Sequence, residues 1–62
     1  MVGYLNYAIV LSENNRNEDA KLNLTRFKEL YYQLTEEELE DLDVIEMKEI
    51  AKTLGKKYNI II

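Results

Sequence analysis

VGYLNYAIVL, residues Val2–Leu11, is the stretch on which the fold turns. Its aromatic and β-branched residues suit a strand. As a strand, one face carries Leu5, Tyr7, Ile9 and Leu11, and the other carries Val2, Tyr4, Ala8 and Val10, interrupted by Asn6. Apolar residues on both faces mark a strand covered on both sides. As a helix, the same run is apolar almost all round, which again implies burial on several sides. Periodicity does not separate the two for so short a run, and the residue types favour the strand. The expected fold class is therefore α+β, mainly α: an apolar N-terminal strand, a helical hairpin with a bent acidic second arm, and a short C-terminal strand. The alternative is an all-α mini-bundle of three to four helices.

The partner for such a strand lies at the other end of the chain. Tyr58–Ile62, YNIII, follows a glycine-lysine-lysine turn and reads as extended. Pairing it with the opening ribbon gives a two-stranded sheet, marginal alone and with open edges. Between them, Ser12–Asp19 (SENNRNED) is a polar connection whose asparagines tolerate turns and the left-handed region. Ala20–Leu34 carries an apolar stripe of Leu24, Phe27, Tyr31 and Leu34, with Leu30 alongside and Asp19 or Asn23 as candidate caps. Tyr32 points away from that stripe. A tight connection then leads into the second helical block, and the two blocks are expected to pack as an antiparallel hairpin.

That second block is TEEELEDLDVIEMKEIAKTLG, Thr35–Gly55. Thr35 with Glu38, and Asp43 with Glu46, have capping-box spacing. Val44, Met47, Ala51 and Leu54 follow a helical 3-4-3 rhythm with Ile50 beside them, while Leu42 and Ile45 drift off that face. A short helix, a bend near Asp43 and a second helix fit this pattern, with Gly55 as the expected left-handed stop. From Glu36 to Glu49 there are eight carboxylates and a single base, Lys48. Like-charged pairs one turn apart, Glu36–Glu40 and Glu37–Asp41, cost roughly 0.2–0.5 kcal/mol each. The first-turn carboxylates recover part of that cost at the positive end of the helix.

At 62 residues the chain, 1–62, reads as one small domain. A domain of that size buries only ~60% of its unfolded surface, and small scaffolds usually add a disulfide, a metal or a partner. Neither cysteine nor histidine is present, which excludes disulfides, thiolate zinc sites and imidazole ligands. Good helix packing, self-association or binding to another protein is what remains. The net charge of −4 argues against general nucleic-acid binding and against attraction to anionic membranes. Hydrophobic residues at 47% with 32% charged are ordinary for a folded soluble domain. No stretch is long enough to span a bilayer, and the opening run lacks the basic flank and cleavage site of a signal peptide. A cytoplasmic location is expected, in the host cytoplasm if the chain is viral.

Catalytic chemistry has little to stand on. There is no histidine or cysteine base–nucleophile pair and Ser12 is the only serine. Two glycines, Gly3 and Gly55, make neither a phosphate loop nor a dinucleotide fingerprint. The acidic run lacks calcium-loop spacing. No catalytic residue, metal ligand or cofactor is expected. Val44–Gly55, VIEMKEIAKTLG, resembles the "EIAK-LG" helix that opens many small helix-turn-helix and SAP-like nucleic-acid modules. That resemblance implies DNA binding, but it covers only these twelve residues, and YNIII stands where a recognition helix is required.

The expected function is a small acidic protein–protein interaction module, a regulator or inhibitor in the style of bacteriophage or mobile-element proteins. It would bind a larger protein, in the sharpest version one with a nucleic-acid-binding groove, through Glu36, Glu37, Glu40, Asp41 and Glu49, with no direct contact to nucleic acid or membrane. The alternative is a homo-oligomeric assembly protein. Its contact would come from the apolar residues Tyr4, Tyr7, Ile9, Leu11, Tyr32 and Ile61, with the acidity serving solubility.

Overall fold

The computed structural model describes residues 2–62, which form four helices: α1 (Val2–Glu13), α2 (Asn17–Tyr31), α3 (Glu36–Leu39) and α4 (Leu42–Tyr58). Among the described residues there is no strand. The α+β reading is thereby overturned, and the architecture is an all-helical one. The physical reason lies in backbone pairing. A lone strand with only a short tail to pair against leaves peptide groups without partners, whereas a helix satisfies them internally. The strand preference of Tyr, Ile and Val costs a helix at most about 0.7 kcal/mol per residue, and tertiary packing overrides it.

Leu5, Ala8, Leu11 and Ser12 are the buried residues of α1, spaced as one helical face. They meet Ala20, Leu24 and Phe27 of α2, which are fully buried. These two helices make the most extensive contact in the molecule, so the tight hairpin is α1–α2 and not, as expected, α2 with the acidic block. Three residues join them. Asn15 adopts the left-handed conformation (φ 61°), Arg16 N–H donates to Leu11 O at 2.8 Å and Asn15 N–H to Ser12 O at 3.1 Å. That is a Schellman closure built on asparagine. α2 starts at Asn17, earlier than the Asp19 or Asn23 caps proposed from sequence, and Arg16 precedes it without a side-chain cap.

α4 lies along this hairpin more sparingly. Its first turns border Val2 and its last turn meets Ser12, so it runs parallel to α1. Ala51 enters the core, and Val44, Met47 and Leu54 are half-buried on the same face, as the spacing predicts; Tyr58, expected to be extended, continues the helix and is half-buried too. Ile50, assigned beside them, is half-exposed.

The Thr35 capping box forms in full: Glu38 N–H donates to Thr35 Oγ1 at 3.2 Å and Thr35 N–H to Glu38 Oε1 at 3.1 Å. The break between α3 and α4 falls at Glu40–Asp41 rather than near Asp43. Asp41, not Asp43, caps α4, accepting from Asp43 N–H at 2.8 Å.

Gly55 does not end α4. It is helical, and Asn59 is the left-handed residue (φ 58°) that closes the helix, with Ile60 N–H donating to Gly55 O at 2.9 Å. The tail then folds back over Gly55, so that a Cβ there would overlap the carbonyl oxygen of Ile60. Ile60 and Ile62 pack against the core, and Ile61 points out with 83% of its surface exposed. Of the YNIII segment expected to be extended, Tyr58 ends α4 and Asn59 caps it, and only Ile60–Ile62 remain, as an unpaired strap.

A sign reversal follows at position 55. In the intact chain Gly55→Ala displaces the strap and lowers stability by ~1–3 kcal/mol in urea denaturation. In a chain ending at Asn59 the same substitution raises stability by ~1 kcal/mol, the ordinary helical preference for alanine. Destabilisation of equal size in both chains would contradict the strap.

Candidate interaction interface

The acidic arm lies at the end of the bundle where α2 finishes and α4 begins. α3 packs against no helix but α4. Its four residues and the following break expose Glu36, Glu37, Glu40 and Asp41, as well as Glu38 of the capping box. One of the expected site residues, Asp41, differs in role from the rest. Glu36, Glu37 and Glu40 have no side-chain partner among the described residues, whereas one oxygen of Asp41 is engaged in capping α4. Glu49 is exposed on the outer face of α4, two turns further on.

The single base of the block does not neutralise it. Lys48 is turned to the inner side of α4, its Nζ 5.7 Å from the ring centroid of Tyr31. The position follows from helical spacing, because residue 48 shares a face with Val44, Ala51 and Gly55. Among the described residues the ion pairs are Arg16–Asp19 at 3.1 Å and Arg26–Glu29 at 3.5 Å, both on α2 and both exposed. Surface pairs of this kind contribute ~0–1 kcal/mol, and neither touches the acidic arm.

Sequence reasoning missed the apolar component of this surface. Leu42 is 77% exposed and Ile45 is also exposed, on the outward side of α4 with Glu46 and Glu49. Both were visible in the sequence as the residues that left the 3-4-3 face. Exposed apolar side chains ringed by charged ones have the layout of an interface centre with a polar rim.

The apolar candidates separate into three groups. Tyr4 and Tyr7 are exposed on the open side of α1, with Val2 and Val10. Tyr32 is exposed and stands edge-on to Tyr31, ring centroids 5.6 Å apart; Ile61 lies on the outside of the strap. Ile9 is half-buried, and Leu11, only 6% exposed, belongs to the core and is not available to a partner.

At the opposite end of the bundle, Ser12 organises the molecule's polar network. Lys57 Nζ donates to Ser12 Oγ at 2.9 Å, Ser12 Oγ and the Tyr58 hydroxyl are 2.9 Å apart, and the Tyr58 hydroxyl donates to Asn17 Oδ1 at 2.8 Å. With one proton per hydroxyl, Ser12 donates to Tyr58 and accepts from Lys57. Three helices are stapled here, and the buried serine is satisfied. Its role is structural, and no local sequence signal links residues 45 positions apart.

Among the described residues no cluster of acidic side chains is arranged to hold a metal ion. No helix is long and apolar enough to cross a membrane. The chain matches no family model, and no curated protein or solved structure matches it.

Tyr58→Phe removes the link between Ser12 and Asn17. It should cost ~1 kcal/mol, seen as a lower urea midpoint at unchanged slope. Tyr32→Phe, on the open surface, should stay within ~0.5 kcal/mol of the parent. Equal losses for the two would contradict the network.

Proposed function

We infer that this chain is a protein-binding regulator or inhibitor, without catalytic activity of its own, that docks its acidic end on a basic surface of a larger protein. The observation that carries the reading is Leu42, almost fully exposed beside Glu40 and Asp41, in a block where no carboxylate from Glu36 to Glu49 belongs to an ion pair among the described residues. Leu42 and Ile45 stand one turn apart on the same side of α4, an apolar centre with a charged rim of the kind a docking face uses. Uncompensated charge around them speeds encounter with a basic partner and fixes orientation. Glu36, Glu37, Glu40 and Glu49 supply the charge, Leu42 and Ile45 the apolar contact, and Asp41 holds the arm's shape by capping α4.

A basic groove that otherwise receives nucleic acid is the partner chemistry best matched to this surface, because its lysines and arginines are already arrayed against anions. The chain itself binds neither nucleic acid nor membrane, and it acts in the cytoplasm, that of the host if it comes from a phage or mobile element.

Affinity capture from cell lysate on the immobilised chain, read by mass spectrometry, tests this. The expected captured proteins are basic, elute as salt is raised above physiological strength and are displaced by added DNA or RNA. They are lost when Glu36, Glu37 and Glu40 are changed to Lys, and weakened about tenfold or more by Leu42→Ala, a ~1.4 kcal/mol effect. Capture that survives charge reversal, high salt and nucleic acid contradicts the proposal.

A further inference from the structure

The outward side of α4 carries a rhythm that the fold does not use. Leu42, Ile45, Glu49, Lys52, Lys56 and Asn59 follow one another at 3-4-3-4-3 spacing, the seam of a helix pair. All six are exposed. The core takes a separate rhythm on the same helix, through Val44, Met47, Ala51 and Leu54, and Ala51 and Gly55 are its buried residues.

The sign of the outward seam reverses along its length. Its first half is apolar and acidic, with Leu42, Ile45 and Glu49 following directly on Glu40 and Asp41; its second half holds the bases Lys52 and Lys56. Among the described residues none of Glu49, Lys52 and Lys56 belongs to an ion pair. A seam of this kind is complementary to a reversed copy of itself. Laid antiparallel, Glu49 of each chain faces Lys52 of the other, Ile45 faces Lys56, and Leu42 faces Asn59. Laid parallel, every layer sets a charge on its own like, Glu49 on Glu49 and Lys52 on Lys52. The net charge of −4 per chain opposes association weakly, because charges beyond a Debye length of ~8 Å at physiological salt are screened.

We propose that α4 pairs antiparallel with α4 of a second copy along this seam, across a two-fold axis midway between Glu49 and Lys52. Around the axis the four central charges alternate in sign, with each Glu49 beside a lysine both along its own helix and across the seam. Leu42 then stands at the mouth of the groove that Gly55 and the strap line on the second copy, and Ile45 lies along the aliphatic stem of its Lys56. Exposed ion pairs fix direction more than they add affinity, so the pair is weak and depends on concentration. One consequence rests on the docking function proposed above: Leu42 and Ile45 serve either the copy or the basic target, which makes the pair the masked form of that surface.

Sedimentation equilibrium over roughly 10 μM to 1 mM reads the pairing. The mass should rise from the monomer's 7.4 kDa toward twice that value. Glu49→Lys and Lys52→Glu should each stay monomeric with unchanged helical circular dichroism. The double variant, which restores opposite charges across the seam, should associate like the parent. The chain lacks cysteine, so Ile45→Cys and Lys56→Cys report direction. Oxidised together they should link mainly to each other, because the two copies of residue 45 are set about 16 Å apart along the seam. Lys52→Glu leaves the acidic arm and Leu42 in place, so the monomeric variant should still capture the basic target. A constant monomer mass, single variants that associate like the parent, or a double variant that does not associate would each overturn the pairing and leave the docking function standing. Pairing in a chain that captures no basic protein upholds the pair and overturns the masking.

Discussion

The structure depends on the closure of α1 against α2 around Phe27. Leu5 and Ala8 from α1, Leu24 and Phe27 from α2, and Ala51 from α4 make one buried cluster, and these are the side chains all three long helices share. A domain of this length has a stability of roughly 0.05–0.15 kcal/mol per residue, a total of about 3–9 kcal/mol. Emptying a fully buried phenylalanine site costs ~3–5 kcal/mol. One ring therefore carries a large fraction of the difference between folded and unfolded chain. Everything outside the cluster is supported by it: the strap over Gly55, the Ser12 network and the half-buried face of α4.

So small a core leaves much of the molecule's apolar surface outside it, and the charge pattern divides that surface. At one end, Leu42 and Ile45 sit among carboxylates that Lys48 does not offset, because Lys48 lies over Tyr31. Along α1, Tyr4, Tyr7 and Val10 lie where there is no charge. The first surface is ringed by carboxylates and the second is uncharged. Each of the three long helices has one face committed to the core, whereas α3 buries none of its residues.

Several local signals in the sequence reappear in the structure, although the Asp43–Glu46 capping box and the Asp19 or Asn23 cap do not. The Thr35–Glu38 capping box, the Val44–Met47–Ala51–Leu54 face, the turn-forming asparagines and the departure of Leu42 and Ile45 from the core face all reappear in the structure. The errors arise where a residue's role is set by distant chain. Val2–Leu11 has strand-forming composition, yet its helical state is decided by α2, which offers a matching stripe, and by a tail that offers no ladder. Gly55 has the residue type of a helix stop, but it is glycine because Ile60 passes over it. Asn59, four residues on, does the stopping. Ser12 was read as the start of a polar connection, yet it is buried in α1, because its partners Lys57 and Tyr58 come from the far end of the chain. The surface site was half legible: its carboxylates stood out by composition, and its apolar anchors only once the bend had been placed at Glu40–Asp41.

Native-state hydrogen exchange at dilute, monomeric concentration tests the central place of the α1–α2 closure most directly. Amides of α1 around Ala8 and Leu11 should exchange only through global unfolding, with the same free energy as those of Leu24 and Phe27, while α3 and residues 60–62 open far more easily. Exchange of α1 well before α2, or helical protection confined to α2 and α4, would contradict the account, because the segment on which the core is built would then be an appendage to it.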